Sequence, residues 1–395
     1  MIYILRHKDI PVCVFDLDKE VVSASVNSNT ADHLPLPLKR ILHYPEEFVS
    51  ENENGRIRLT ESGCDLVDYW LNDRTIPAKR RNLDKYTRGK NTLTWMLENH
   101  ACSLDDCYWI HSIDENLNWD QVKLYGYDQV DILTQESLAG KTKHYSGVNS
   151  TLGGELEKYW FCEKDDEGIK LLLCKRTTPM ADILSIREVM ANRIYESIGY
   201  ENYCHYQLVY DREGQIVGCY CPAFTSEQME LITAYDLLEE YNYTQQINLY
   251  GLLVKLAAKY GLSVEQTKEY LDTQICVDYL ITNRDRHQGN IGFLRNPDTL
   301  QIIMPAPVYD SGSSETLEFE YPIDIKNTRV NGLYFTEGEC LDKVSDINRI
   351  DISRLPENSS IRELLDNSKV LSDQRKEFLI TMYEKKVAYL RTLQR

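Results

Sequence analysis

The chain has 395 residues, of which 42% are hydrophobic and 27% are charged, which is typical of a water-soluble globular protein with two or three domains. Its formal net charge of −18, from 44 basic and 62 acidic residues, disfavours general binding to nucleic acids and to anionic lipid surfaces. Charged residues at 6–9 interrupt the only early apolar stretch, and no segment approaches the about 20 apolar residues that span a bilayer. These features predict a cytoplasmic protein that contacts neither a membrane nor, directly, nucleic acid.

Eleven cysteines are scattered along the chain without the spacing of a disulfide framework, so we expect reduced thiols. His100, Cys102, Cys107 and His111 lie close together in the sequence, but they lack the paired spacing that is typical of zinc sites. The apolar residues that follow Cys107 favour a buried strand instead.

Residues 1–91 are predicted to form an N-terminal α/β accessory region. The apolar run at 12–15 indicates a strand, and apolar residues at helical spacing predict a helix over 60–73 that Thr60 caps. Residues 92–140 are predicted to form a connecting unit of helix and strand.

Residues 141–224 are predicted to be rich in β-strands, around 158–175 and 204–220, with one helix from about 182 to 198. Gly199 is suited to end that helix. Residues 225–395 are predicted to be mainly helical, with one long helix capped by Ser263 and a last helix that begins at Ser372.

Gly153 and Gly154 lie in a run of small residues at the start of the β-rich part. Glycines let a backbone approach phosphates closely, and successive N–H groups bind anions. The same pair also fits an ordinary hairpin turn. The apolar strand 171–174 is followed by Lys175, and this lysine favours the phosphate-binding interpretation.

The most informative motif is the run from Asp285 to Asn290, which reads D-R-H-x-x-N. Asp310 follows twenty residues later, after a strand-like apolar run at 302–304 and just before Gly312. Magnesium prefers oxygen ligands such as these amide and carboxylate groups, and an ionised aspartate can accept or orient a hydroxyl proton. The alternative is a polar loop, because Asn, Asp and Gly cluster in turns.

Three upstream features accompany this motif: the small-residue run that ends at Lys158, the strand that leads to Lys175, and a helix start at 187–191. With them, the chain resembles the HipA-like serine/threonine kinases over roughly residues 140–395. The D-R-H-x-x-N run also resembles that of phosphatidylinositol kinases.

The resemblance implies an α+β, bilobal protein-kinase-like fold. The small lobe, at 141–224, would be β-rich, the large lobe, at 225–395, would be mainly helical, and the accessory region would precede both. ATP would bind between the lobes. Asn290 and Asp310 would hold two Mg²⁺ ions, while Asp285 would act as the base or orient the attacking hydroxyl.

The resemblance also implies a phosphate loop, whose candidate residues are Thr151, Gly153, Gly154 and Lys158. Lys175 would reach the ATP phosphates. Lys158 fits equally well as a solvated strand residue. Ser150 and Thr151 lie where relatives carry a regulatory phosphorylated serine, and such a modification would add charge to the phosphate loop.

The adenine is expected near Cys221 and Phe224, in a crossing between the lobes that Pro222 is expected to make irregular and extended. Its position in the chain is between the β-rich and the helical parts.

Glu188 would pair with Lys175 as in kinases, although Ser185 and Glu188 also fit a capping box at a helix start. His287 is expected to brace the loop by hydrogen bonds. Arg286 would contact a phosphate or stay in solvent, and the sequence does not decide between these.

The predicted function is therefore that of an ATP- and Mg²⁺-dependent serine/threonine protein kinase that acts on a protein substrate and on itself. The family includes toxins of toxin–antitoxin pairs, and any antitoxin would be a separate chain. Two alternatives remain open: a lipid or small-molecule kinase that uses the same site, and a pseudokinase that binds nucleotide without transfer.

Overall fold

Antiparallel strand pairing dominates the architecture. The computed structural model describes residues 1–80, 83–126, 131–132, 151, 156–165, 168–241, 248–312 and 324–394. Within these ranges the strands form three sheets of six, five and three strands. None of the helices in the same ranges is both long and apolar enough to cross a membrane.

The N-terminal sheet consists of β1 (Ile2–His7), β2 (Ile10–Leu17), β3 (Val21–Asn27), β4 (Val49–Glu53), β5 (Arg56–Leu59) and β6 (Tyr108–Ser112). Their order is β4-β5-β3-β2-β1-β6, and every pairing is antiparallel. Val12 and Phe15 are buried in β2, which confirms the strand predicted at 12–15. The buried strand predicted after Cys107 is β6.

The helices of this part are α1 (Arg40–His43), α2 (Pro45–Phe48), α3 (Glu61–Asp73), α4 (Leu83–Thr87), α5 (Thr92–Glu98) and α6 (Trp119–Val122). The hydroxyl of Thr60 accepts a hydrogen bond from the Gly63 N–H at 3.2 Å and caps α3. Apolar residues of α3 are buried against the sheet, including Val67 and Leu71. The helix predicted over 60–73 is confirmed.

The second sheet consists of β7 (Asp131–Ile132), β8 (Glu157–Asp165), β9 (Gly168–Arg176), β10 (Gln207–Tyr210) and β11 (Ile216–Pro222), in the order β10-β11-β9-β8-β7. The helix α7 (Ile183–Ile198) lies between β9 and β10 in the chain. Gly199 ends α7 with a left-handed backbone, φ 76°, which a residue with a side chain adopts only at a cost.

The large lobe contains a third sheet, with β12 (Glu230–Thr233), β13 (Gly292–Arg295) and β14 (Ile302–Pro305). Its helices are α8 (Ala234–Glu239), α9 (Leu249–Lys259), α10 (Val264–Ile281), α11 (Glu337–Leu341), α12 (Asn358–Leu365) and α13 (Asp373–Leu393). Ser263 and Ser372 cap α10 and α13, as predicted. The largest hydrophobic core packs α7 against these helices.

The prediction of an irregular segment at Pro222 is wrong for Cys221 and Pro222, because β11 continues through Pro222. The next N–H, that of Ala223, donates to the Leu171 carbonyl on β9, so the Pro222 nitrogen faces the other side of the strand. On that side β10 pairs no further along β11 than Tyr220, so the missing N–H of the proline breaks no ladder bond.

The accessory region is built into both lobes. Strand β6, from the predicted connecting unit, pairs with β1 and completes the N-terminal sheet. The sheet therefore extends across the domain boundary predicted near residue 91, and that boundary stays a prediction. Trp109 of β6 also belongs to a buried cluster with Trp119 and with Trp160 and Leu171 of the second sheet. The N-terminal part therefore packs directly on the β-rich lobe.

A buried ionic network fastens the N-terminal sheet to the large lobe. The carboxylate of Glu230 accepts a hydrogen bond from Arg295 Nε at 2.7 Å and contacts Nε2 of His7 at 3.2 Å. Arg295 Nη2 donates to the Tyr108 hydroxyl at 3.1 Å. Burial alone would raise the pKa of Glu230, but the charges of Arg295 and His7 outweigh it and lower the pKa to about 2.

We expect Glu230→Gln to reduce the free energy of unfolding by about 3–5 kcal/mol at neutral pH, because it leaves Arg295 buried without its counter-charge. The folded-state pKa of Glu230 is lowered, so its contribution is complete above the usual pKa of 4.5 and is lost as the pH falls towards about 2. Denaturant unfolding over this range should show the difference between wild type and variant shrinking.

The control is Glu51→Gln, which removes an exposed ion pair with Arg58 and should cost less than about 1 kcal/mol. A Glu230→Gln difference that is equally small, or independent of pH, would contradict the assignment.

Candidate active site

The motif loop leaves a buried helix through a strained turn. Helix α10 ends at Ile281, and Thr282 has left-handed backbone angles of φ 57° and ψ 48°, which are rare for a β-branched residue. The N–H of Asn283 donates back to the Asp278 carbonyl at 2.9 Å and closes the helix end. The direction of the loop is thereby fixed relative to the core of the large lobe.

Asp285 and Asn290 are held together across the loop. The side-chain amide of Asn290 donates to the Asp285 carbonyl at 2.9 Å, so its amide oxygen points the other way. The Asp285 carboxylate accepts a hydrogen bond from Asn331 Nδ2 at 3.0 Å. A half-buried carboxylate and a buried amide oxygen are therefore presented on one short segment.

Arg286 connects the loop to its surroundings. Its guanidinium makes two hydrogen bonds to Asp278, at 2.7 and 2.9 Å, and donates to the Asn290 carbonyl at 2.9 Å. It also donates to the Tyr309 carbonyl and to the Ser311 hydroxyl, the latter at 3.0 Å. Arg286 is buried, so the solvated alternative from the sequence is wrong, while the phosphate contact stays a prediction.

His287 braces the loop, as predicted. Its Nδ1 accepts a hydrogen bond from the Gly289 N–H at 3.1 Å and caps the short 3₁₀ turn Gln288–Asn290. The hydroxyl of Tyr309 donates to the Gly289 carbonyl at 2.8 Å from the opposite side.

Asp310 lies between two lysine ammonium groups. Lys175 Nζ is 2.9 Å from one carboxylate oxygen, and Lys158 Nζ is 3.5 Å from the other. Burial would raise the pKa of Asp310, but the two lysines hold it well below its usual range. The backbone of Asp310 is left-handed, φ 53°, which is the kind of strain that functional sites often carry.

Glu188 fixes both Lys175 and the turn after Asp310. Its Oε1 accepts a hydrogen bond from Lys175 Nζ at 2.7 Å, and its Oε2 accepts one from the Ser311 N–H at 2.7 Å. The capping-box alternative is wrong, because α7 begins at Ile183 and Ser185 already lies inside the helix. A Cβ at Gly312 would lie 2.5 Å from the Leu184 carbonyl oxygen, so this close approach requires glycine.

The phosphate loop is only partly described. Ser150, Gly153 and Gly154 lie outside the described residues. The hydroxyl of Thr151 donates to the Cys102 carbonyl at 3.3 Å, beside a cavity of about 230 Å³ between the accessory region and the large lobe. The nucleotide roles of these residues stay predictions.

The two residues expected near adenine have different environments. The side chain of Cys221 is buried in a cluster with Cys204, Tyr206 and Cys219. Phe224 stacks on the ring of Tyr309, with the centroids 5.5 Å apart, and Tyr309 directly precedes Asp310. Phe224 thus borders the site, while Cys221 packs beneath it.

Three residues of the site were missed in the sequence. Asp278 anchors Arg286, Asn331 holds Asp285, and the ring of Tyr206 lies 4.6 Å from Lys175 Nζ. The signal for Asp278 is a carboxylate between apolar residues in the last turns of α10, which are buried. Asn331 is 46 residues from Asp285 along the chain, and no spacing rule links them.

No protein-family model matches the chain. Among characterised proteins, it is similar to the serine/threonine-protein kinase CtkA of Helicobacter pylori strain J99, with 26% identity over 199 residues. The match covers 42% of this chain and 59% of CtkA, so the chain spans about three-fifths of the length of that relative.

Two solved structures are also similar. The crystal structure of the Helicobacter pylori proinflammatory kinase CtkA gives a TM-score of 0.45 at 20% identity, over 61% of this chain and 92% of CtkA. HipA of Shewanella oneidensis MR-1, solved with HipB and operator DNA, gives a TM-score of 0.54 at 13% identity, over 99% of this chain and 97% of HipA. The similarity to HipA confirms the bilobal α+β fold. Together with the sequence similarity to CtkA, it confirms the resemblance of this chain to the HipA-like serine/threonine kinases.

Proposed function

We propose that the chain is an ATP- and Mg²⁺-dependent serine/threonine protein kinase of the HipA-like type. The observation that carries this proposal is the position of Lys175, whose ammonium group bridges Glu188 of the small lobe and Asp310 of the large lobe. Arg286 also binds the Tyr309 carbonyl, directly before Asp310, and so ties this segment to the loop that holds Asp285 and Asn290.

The donor groups fit the cofactors. Asp310 and Asn290 offer one anionic and one neutral oxygen, which suits Mg²⁺. When bound, the metal would neutralise charge on the ATP phosphates. The ammonium groups of Lys158 and Lys175, beside Asp310, would also neutralise charge on these phosphates.

In the proposed mechanism, Glu188 is the positioning residue that keeps Lys175 extended towards the phosphates. Asp285 accepts the proton of a substrate serine or threonine hydroxyl. The oxygen of that hydroxyl bonds to the γ-phosphorus, while the bond between the γ-phosphorus and the oxygen that bridges it to the β-phosphorus breaks and releases ADP. Such a transfer depends mainly on positioning and electrostatics, which the rigid loop supplies.

The partners follow as proposals from the same resemblance. The HipA structure contains HipB of a toxin–antitoxin system, so we propose that this chain also acts as a toxin with a separate antitoxin chain. Its substrate would be a cytoplasmic protein. Phosphorylation of Ser150 or Thr151 would regulate the phosphate loop.

Phosphate transfer tests the proposal directly. We expect the purified chain, given labelled ATP and Mg²⁺, to label itself or proteins of a lysate, and Asp285→Asn to slow transfer about 10²–10⁴-fold through loss of the base. Transfer to lipid vesicles or small molecules alone would favour the lipid-kinase alternative, while ATP binding without any transfer would indicate a pseudokinase.

Replacing Lys175 should separate binding from transfer. We expect Lys175→Met to lower kcat by about 100-fold or more, because one fixed positive charge on the phosphates is lost. The matched control is Lys170→Met, on the same strand and exposed, which should keep near wild-type kinetics. Equal losses in the two variants would argue against the assigned role of Lys175.

Asn331 should act through Asp285. We expect Asn331→Ala to lower kcat about 10–150-fold, the effect of one hydrogen bond to a charged group, while KM for ATP stays unchanged. Asn327→Ala removes a comparable exposed hydrogen bond, to Asp324, and serves as the control. A change in KM for ATP without a change in kcat would refute this positioning role.

A further inference from the structure

Arg187 is a buried cation for which the described residues provide no partner. It lies on α7 directly before Glu188 and is only 3% exposed. Within the described part of the chain, its guanidinium makes no hydrogen bond or ion pair, and its Nη2 is buried and unsatisfied. Buried arginines are normally paired, because a desolvated charge without a counter-charge is costly.

The surroundings of Arg187 leave room for a small group. Arg187, Thr282 and Tyr383 line a cavity of about 20 Å³ whose remaining walls are apolar, including Phe378. This volume accommodates a single oxygen-sized atom. Next to Thr282 lies Lys386, which is fully buried and donates to the Thr282 hydroxyl at 2.8 Å and to Glu337 at 2.6 Å.

Two further arginines act electrostatically on Arg187. Burial, followed by the charges of Arg375 and Arg284, lowers the pKa of Arg187 to about 10, which still leaves it protonated at neutral pH. Among the described residues that act on Arg187, only Glu337 is acidic, and one of its oxygens already accepts a hydrogen bond from Lys386.

We propose that Arg187 is the base of a binding site for a phosphate-type oxyanion. The guanidinium group matches the geometry of phosphate oxygens, and one oxygen of the anion would occupy the cavity. The ligand is either free phosphate or a phosphate ester on a phosphorylated serine or threonine. The site is separate from Lys175, and it does not depend on the proposed kinase activity.

A simpler explanation is a water molecule that bridges Arg187 and the unsatisfied oxygen of Glu337. The two explanations differ in the effect of an apolar replacement. If an anion is the partner, Arg187→Met removes an uncompensated charge from the anion-free protein and should keep or raise Tm. If a bridging water completes a structural network, the same change should lower Tm.

The experiment uses two forms of the chain, one treated with phosphatase and one untreated. For each form, Tm is measured with chloride and again with millimolar inorganic phosphate in its place, at constant ionic strength. For the treated wild type we expect an increase of about 2 °C or more. Arg187→Met should show no increase, Arg187→Lys a smaller one, and Lys175→Met, which disables the proposed nucleotide site, the same increase as wild type.

If phosphate raises the Tm of both the treated and the untreated protein, the ligand is free phosphate. If phosphate raises the Tm only of the phosphatase-treated protein, a covalent phosphate occupies the site in the untreated protein. The proposal is overturned if treated wild type does not respond, if Lys175→Met removes the response, or if Arg187→Met lowers Tm without phosphate. Should Arg187→Met fail to fold, an undiminished response of Arg187→Lys overturns it equally.

Discussion

The ion pair between Arg286 and Asp278 is the constraint on which the arrangement of the site depends. One guanidinium group links a buried position of α10 to the motif loop and to the segment that carries Asp310. Loss of either partner would leave the other charge buried and unpaired, at a cost of about 3–5 kcal/mol. Asp285 and Asn290 are therefore positioned by the core of the large lobe rather than by the loop alone.

A second clamp joins the two lobes. Lys175 is on a strand of the small lobe, Asp310 is in the large lobe, and Glu188 holds both the lysine and the backbone after the aspartate. The contacts of Arg286 and those of Glu188 converge on residues 309–311, because both side chains hydrogen-bond to this short segment. Small-lobe and large-lobe groups are thus aligned by a single strained turn.

Local patterns predicted much of this structure. Helix α3, the cap at Ser263 and the Lys175–Glu188 pair follow from spacing and from a family resemblance, because each depends on a few neighbouring residues or on a specific motif. The partners of Arg286 and the contact of Asn331 with Asp285 depend on tertiary packing, which spacing does not encode. At Pro222 a general rule for proline failed, since its missing donor faces a side of β11 where pairing has ended.

The accessory region has a mechanical consequence. It is attached to the large lobe through His7, Glu230 and Arg295, and to the small lobe through the tryptophan cluster around Trp109. A body fastened to both halves of a cleft resists their separation. We therefore expect the accessory region to resist opening of the cleft between the two lobes.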